Sequence, residues 1–332
     1  MSEKGTGLID ADATSRDANN HAVRLHMNGR ADEAEAEYRR ALEADPRNAT
    51  AHNNLGFLLA QRGGWKEAVS EYLAALSIEP AKGAALVNLA IARAAGGDLA
   101  AGLSTMRQAT ASDPENAAAW DGLAKLALAA RQLDDSEDAW RRAIALDRSA
   151  DRLTSLASIV AARGRRAEAV ALLTEAVELD PSLSRAWVQL GVVLFSRRDF
   201  GSAGEALRRG LAIAPDDMVA RRHLFLTALA MGDRDEAVRQ IDLILRLDPA
   251  NVESIVDRAI LDIDRGDTNA AETRLNDALG LDPADTRACY YLTVVQEQTG
   301  RLEAARASLE SLAAGPGKYA TWAARRLAGQ TT

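Results

Sequence analysis

The sequence predicts an all-α protein, a solenoid of about nine stacked helix hairpins finished by a C-terminal capping helix. Three observations carry this. The first is the stretch from Ala49 to Pro80, ATAHNNLGFLLAQRGGWKEAVSEYLAALSIEP, which holds two helical patterns: Leu55, Leu58 and Leu59, then Ala68, Val69, Tyr72, Ala75 and Leu76. Gly63-Gly64 breaks the chain between them and Pro80 stops the second helix. The second is periodicity. Pro46, Pro80 and Pro114 lie 34 residues apart, and so do Pro181, Pro215, Pro249 and Pro283. Between Pro114 and Pro181 there are 67 residues, two periods less one, and Arg148 stands where a proline is missing. The third is composition: with only 4% aromatic residues in 332, the core must be built largely from Ala and Leu, which suits closely packed helices. A hairpin this short cannot bury its apolar face alone, whereas stacked copies cover one another, so the array can outgrow a single globular core.

Taken in order, residues 1–14 are polar, with Gly5 and Gly7 and no period, and are expected to form a flexible N-terminal arm. Residues 15–315 divide into nine repeats beginning at Ser15, Ala49, Gly83, Ala117, Ala150, Ser184, Met218, Val252 and Thr286. The fifth begins one residue early. Residues 316–332 follow Gly315-Pro316-Gly317 with one more amphipathic pattern, YATWAARRLA, expected to cap the open end. No linker long enough to divide domains is visible.

Position by position the repeats resemble the tetratricopeptide family, which keeps small residues at the eighth, twentieth and twenty-seventh positions of a 34-residue unit. The twentieth reads Ala34, Ala68, Gly102, Ser136, Ala169, Ala203, Ala237, Ala271 and Ala305, small in every repeat. A larger side chain there would overpack the hairpin, at a cost of roughly 1–3 kcal/mol. Repeat seven departs at the other two positions, with Phe225 and Ile244, and mutual compensation between them is expected. The resemblance implies a right-handed α-α superhelix whose first helices line a concave groove.

Net charge is −8, a poor match for nucleic acid or an anionic membrane. No apolar run is long enough for a membrane span. The opening MSEKGTGLID has no apolar h-region, so no secretory leader is expected and the cytoplasm is the default location. The basic run Arg163-Gly164-Arg165-Arg166 falls in an inter-helix turn and reads as solvated. Cys289 is the single cysteine, among apolar helix positions, and reads as a buried structural thiol. No phosphate-binding glycine loop, nucleophile elbow or metal-ligand spacing is present, so no catalytic residue, cofactor or metal is assigned. His26 and His52 are the one pair that adjacent first helices would bring near each other.

Two polar groupings stand out. In repeat eight Arg258 takes the usual Leu position with Asp262 four residues on, and Arg221 takes an aromatic or aliphatic position in repeat seven, with Asp257 expected as its neighbour. They read either as ion pairs with stems on the core or as a charged notch for a partner. The second grouping is the sixth position of the first helices, which carries Asn20, Asn54 and Asn88 in succession, flanked by Asn19 and Asn53, and later Gln189, His223 and Tyr291. The asparagines are expected to project into the groove, where amides can pair with any extended backbone. Phe57 and Ile91 would add side-chain selectivity. Further along, the same face turns apolar around Phe195, with Arg222 standing beside it. The lysine–asparagine carboxylate clamp of some family members is not carried over, because Asn19 and Val23 stand where its lysine and asparagine belong.

The function read from the sequence is a non-enzymatic adaptor that holds a peptide segment of a partner protein in the groove. The alternatives are a self-assembling scaffold and a regulatory subunit of a separate enzyme.

Overall fold

A computed structural model describes residues 3–329, with side chains from residue 12 onward. Among the described residues there are nineteen helices and no strand. The chain resolves into two compact units, Met1–Arg163 and Gly164–Thr332. The boundary lies in the arginine-rich turn of repeat five.

Unit 1 contains α1 (Glu3–Met27) and α2 (Ala31–Ala44), α3 (Ala49–Gln61) and α4 (Trp65–Ile78), α5 (Gly83–Ala95) and α6 (Leu99–Ser112), α7 (Ala117–Ala129) and α8 (Leu133–Leu146), and then α9 (Ala150–Ala162). Unit 2 contains α10 (Arg166–Leu179), followed by the pairs α11 (Ser184–Ser196) and α12 (Phe200–Ile213), α13 (Met218–Met231) and α14 (Arg234–Leu247), α15 (Val252–Arg265) and α16 (Thr268–Leu281), and α17 (Thr286–Gln298) and α18 (Leu302–Ala313), with α19 (Lys318–Leu327) packed on α18. From α3 onward, the first helices begin at the residues that the period predicts. At the N-terminus the outcome differs: α1 runs back to Glu3, through the stretch expected to be an arm. Gly5 and Gly7 weaken a helix by about 1 kcal/mol each but do not break it as a proline would, and no proline lies there.

The small positions close the hairpins as expected. A Cβ on Gly56 would stand 2.9 Å from Tyr72 Cε1, and one on Gly191 would stand 2.5 Å from Leu207 Cγ. In repeat seven Phe225 and Ile244 are both buried and fill one cluster with Ala228, Ala237, Ile241 and Leu261, so the two large residues compensate for each other.

Each hairpin turn places one residue in the left-handed region. In seven turns this is Gly29, Gly63, Gly97, Gly164, Gly232, Gly266 or Gly300, with φ between 75° and 99°; in repeats four and six it is Arg131 (φ 59°) and Arg198 (φ 64°). The next backbone N–H then closes back on the first helix, as Gly64 does on Leu59 O and Gln132 on Ala127 O.

A second recurring device pins the start of the first helices. The side chain at the fourth repeat position donates to the proline carbonyl six residues earlier: Trp120 Nε1 to Pro114 O at 2.8 Å, Trp187 Nε1 to Pro181 O at 2.9 Å, His52 Nε2 to Pro46 O at 3.1 Å, and the Arg221 guanidinium to Pro215 O. Repeat five has neither the proline nor a donor at that position, which is Leu153. There Arg152 takes over, bonding the Asp147 carbonyl five residues back and both Asp147 and Asp121 carboxylates. The hydrogen bond to Asp121 chiefly raises the Arg152 pKa. Ser149, the N-cap of α9, spans the shortened connection with extended backbone (φ −139°, ψ 154°), while Asn48, Asn116, Asp217 and Asn251 cap their helices near φ −75° and ψ 95°.

Within unit 1 the first helices α1, α3, α5 and α7 touch in succession, and in unit 2 α11 touches α13 and α15 touches α17; second helices make no comparable contact with one another. Contacts between first helices of successive hairpins therefore mark the face that the tetratricopeptide resemblance expects to be concave.

Candidate functional site

On the first-helix face of unit 1 the asparagines do not stand free. They form a directed run of amides: Asn88 Nδ2 donates to Asn53 Oδ1 (3.2 Å), Asn53 Nδ2 to Asn54 Oδ1 (3.4 Å), and Asn54 Nδ2 to Asn19 Oδ1 (3.1 Å). The run ties α5 to α3 and α3 to α1. Asn19, at its end, is buried; Asn53, Asn54 and Asn88 are half-buried; Asn20 alone is exposed. The expected spacing of identical positions therefore appears as a zigzag that also uses the flanking residues. Phe57 and Ile91, at equivalent places on α3 and α5, are 44% and 47% exposed beside it. A polar cleft of about 500 Å³ opens at the α1 end, where Asn19, Asn20, Asn48 and Thr50 meet Arg16 and Arg47. The sequence reading missed Asn48, which caps α3 through Ala51 N and donates to Ser15 Oγ, itself bonded to Ala41 O. An Asn directly ahead of a first helix is the signal that could have found it.

The two histidines do not meet. His26 pairs with Gln61 Oε1 at 2.7 Å and its ring lies 5.9 Å from that of Phe57, while His52 Nδ1 meets Glu71 at 2.6 Å. Among the described residues no cluster of His, Cys, Asp and Glu could hold a metal ion, and no helix is long and apolar enough to cross a membrane.

Unit 2 carries charge at the same face. Asp257, at the sixth position of α15, is 6% exposed and accepts from two arginines, Arg222 on α13 and Arg287 on α17. The pairing of Asp257 with Arg221 suggested by the sequence is thus corrected. Arg221 is buried on the other side of α13, bound to Pro215 O and Gln240, because adjacent residues on a helix face different ways. Arg222 also bonds Glu253, and its guanidinium lies 5.1 Å over the Phe225 ring. Burial works against the charge of Arg287, but the facing Asp257 outweighs it and the pKa rises. Arg258 and Asp262 do form the i,i+4 ion pair, extended by Asp242 (2.8 Å) and Arg274. Of the other expected residues, His223 donates from Nδ1 to Val219 O and meets Phe195 edge to face at 6.1 Å; Tyr291 meets Tyr290 edge to face at 5.0 Å; Gln189 is half-buried on α11. Cys289 packs beside Leu309 and Leu312, and burial pushes its thiol up.

The family model described as "Cilia and flagella-associated protein 70 C-terminal domain" matches residues 2–243, and a tetratricopeptide repeat model matches residues 262–324. No curated protein matches the chain. Among solved structures, pilF of Pseudomonas aeruginosa is 21% identical over 64% of this chain and 97% of that one, with a TM-score of 0.54. A tetratricopeptide repeat protein from Parabacteroides merdae is 14% identical over 75% and 98%, at 0.53. The APC/C hetero-tetramer Cut9-Hcn1 is 18% identical over 83% of this chain, at 0.52, and the match spans about half (54%) of that chain. At these identities the likeness concerns the fold: paired helices stacked as tetratricopeptide repeats.

Proposed function

The chain belongs to the cilia and flagella-associated protein 70 C-terminal domain family, a tetratricopeptide family, and from that premise we propose that it is a non-catalytic adaptor holding an extended peptide segment of a partner protein along the first-helix face of unit 1. Tetratricopeptide domains mediate protein interactions; the peptide groove is our reading. The observation that carries it is the amide run from Asn88 to Asn19 with the exposed side chains of Phe57 and Ile91 beside it. The run uses one N–H from each donor and one lone pair from each acceptor. An amide has two N–H groups and two lone pairs, so each keeps capacity for a ligand backbone. Fixing the amides to one another also orients them before a ligand arrives, which reduces the ordering cost of binding. Each peptide hydrogen bond adds about 0.5–1.5 kcal/mol, and an apolar ligand side chain buried on Phe57 or Ile91 adds about 1.5–3 kcal/mol.

The test is selection of peptides from a displayed library on the full chain, followed by measurement of their affinities for two variants. Phe57→Lys with Ile91→Lys alters the proposed face. Leu73→Lys alters an equally exposed residue on α4, a second helix. The selected peptides should lose roughly a hundredfold in affinity for the first variant, about 2.7 kcal/mol, and keep their affinity for the second. Equal binding to the first variant, or loss with the second, overturns the proposal.

A further inference from the structure

Unit 2 holds a feature that has no part in the amide run: a buried carboxylate placed between two arginines that stay partly exposed. We propose that Arg222 and Arg287, held on either side of Asp257, form a second binding site, which takes an acidic side chain of an acidic–apolar peptide segment. Asp257 accepts from both arginines and is itself almost wholly buried, so the two guanidinium groups are fixed by a carboxylate that lies beneath them and out of a ligand's way. Neither arginine is buried to the same extent: their side chains keep 25% and 33% exposure.

What Arg222 does with its remaining N–H groups indicates the ligand. It bonds the carboxylate of Glu253, a side chain 66% exposed. A carboxylate on the solvent side of Arg222 is therefore already accommodated, by a largely exposed intrachain acid that an incoming one can replace. Guanidinium and carboxylate match as planar partners, and fixed arginines lose little freedom on binding. The apolar half of the ligand follows from the surroundings. Val219 and Leu229 are exposed on the same helix as Arg222, at 55% and 41%, and Tyr291 lies one turn beyond Arg287 on α17. A segment alternating acidic and apolar residues would meet both kinds of surface, while a basic one would place like charges together.

The site stands on residues of unit 2 alone and does not rest on the amide run. Fluorescence anisotropy of the full chain tests it with two labelled peptides, one of alternating glutamate and leucine, the other with glutamine for every glutamate. The acidic peptide should bind roughly tenfold more tightly at low salt, and the advantage should shrink as salt rises. Glu253→Gln removes the resident competitor from a largely exposed position and should tighten the acidic peptide by about threefold or more. Arg222→Gln with Asp257→Asn and Arg287→Gln replaces the cluster by neutral amides without stranding a charge, and should abolish the preference with helicity by circular dichroism unchanged. Phe57→Lys with Ile91→Lys should leave it intact, which separates this site from the one in unit 1. Equal binding of the two peptides, a preference that survives the triple change, or no tightening by Glu253→Gln overturns the proposal.

Discussion

The first-helix faces of the two units handle one physical problem in opposite ways. The sixth position of a first helix is half-buried at Asn54 and Asn88 and buried at Asp257, and a polar group so placed needs a partner. Unit 1 places Asn54 and Asn88 at that position and satisfies them with other amides, in a neutral run that ends on Asn19. Unit 2 places Asp257 there and satisfies it with Arg222 and Arg287. Each amide can donate and accept, so on the proposed reading the run would take a ligand's backbone whatever its sequence. The ion cluster carries charge of both signs, and on the proposed reading it would discriminate among ligand side chains. The same repeat register thus supports a neutral, amide-linked face and a charged one.

The contrast breaks most visibly where a charge is stranded. Arg222→Ala with Arg287→Ala leaves Asp257 buried without a cation, and we expect a loss of about 3–5 kcal/mol in chemical denaturation of the full chain. Adding Asp257→Ala should restore most of it, since no unpaired charge then remains. A loss below about 1 kcal/mol for the double change would mean that water reaches Asp257, and the contrast would fail. The corresponding cut in unit 1 is smaller. Asn54→Ala removes the bond to Asn19 and the one from Asn53, about 1–2 kcal/mol in all. Since no charge is involved, that loss should be the same at low and high salt. A salt-dependent loss, or none, would show that the run does not hold α1, α3 and α5 together.

These faces were legible in the sequence to unequal depth. The period, the small positions and the proline register were enough for the hairpins, because they depend on local chain geometry and on close helix contact. Candidate face residues could be assigned to first helices for the same reason. What a position list does not contain is lateral pairing. Asn20, Asn54 and Asn88 share a register, yet the bonds run between Asn54 and Asn19 and between Asn88 and Asn53, because adjacent helices are offset and each amide reaches the nearest partner. Asp257 was set beside Arg221 by proximity in sequence, while helical rotation brings it to Arg222. The helical stretch from Glu3 was missed because absence of hydrophobic period was read as absence of helix.

The smallest expected effect concerns what the two units share. Arg131 in unit 1 and Arg198 in unit 2 hold the left-handed turn position that glycine holds in the other repeats, and both are exposed. Their turns close with the same bonds: Arg131 N to Leu128 O and Gln132 N to Ala127 O, Arg198 N to Phe195 O and Asp199 N to Leu194 O. A side chain in this region costs roughly 1–2 kcal/mol through crowding of Cβ against the carbonyl. Glycine removes that cost but gives the unfolded chain more freedom, worth roughly 0.5–1 kcal/mol. Arg131→Gly and Arg198→Gly should therefore each stabilise the protein by about 0.5–1 kcal/mol, seen as a higher denaturation midpoint with unchanged slope. The gains should be alike, because the turns are alike even though the faces above them are not. If one gains and the other loses, the arginine that loses is held by contacts of its own, and the turns as well as the faces differ between the units.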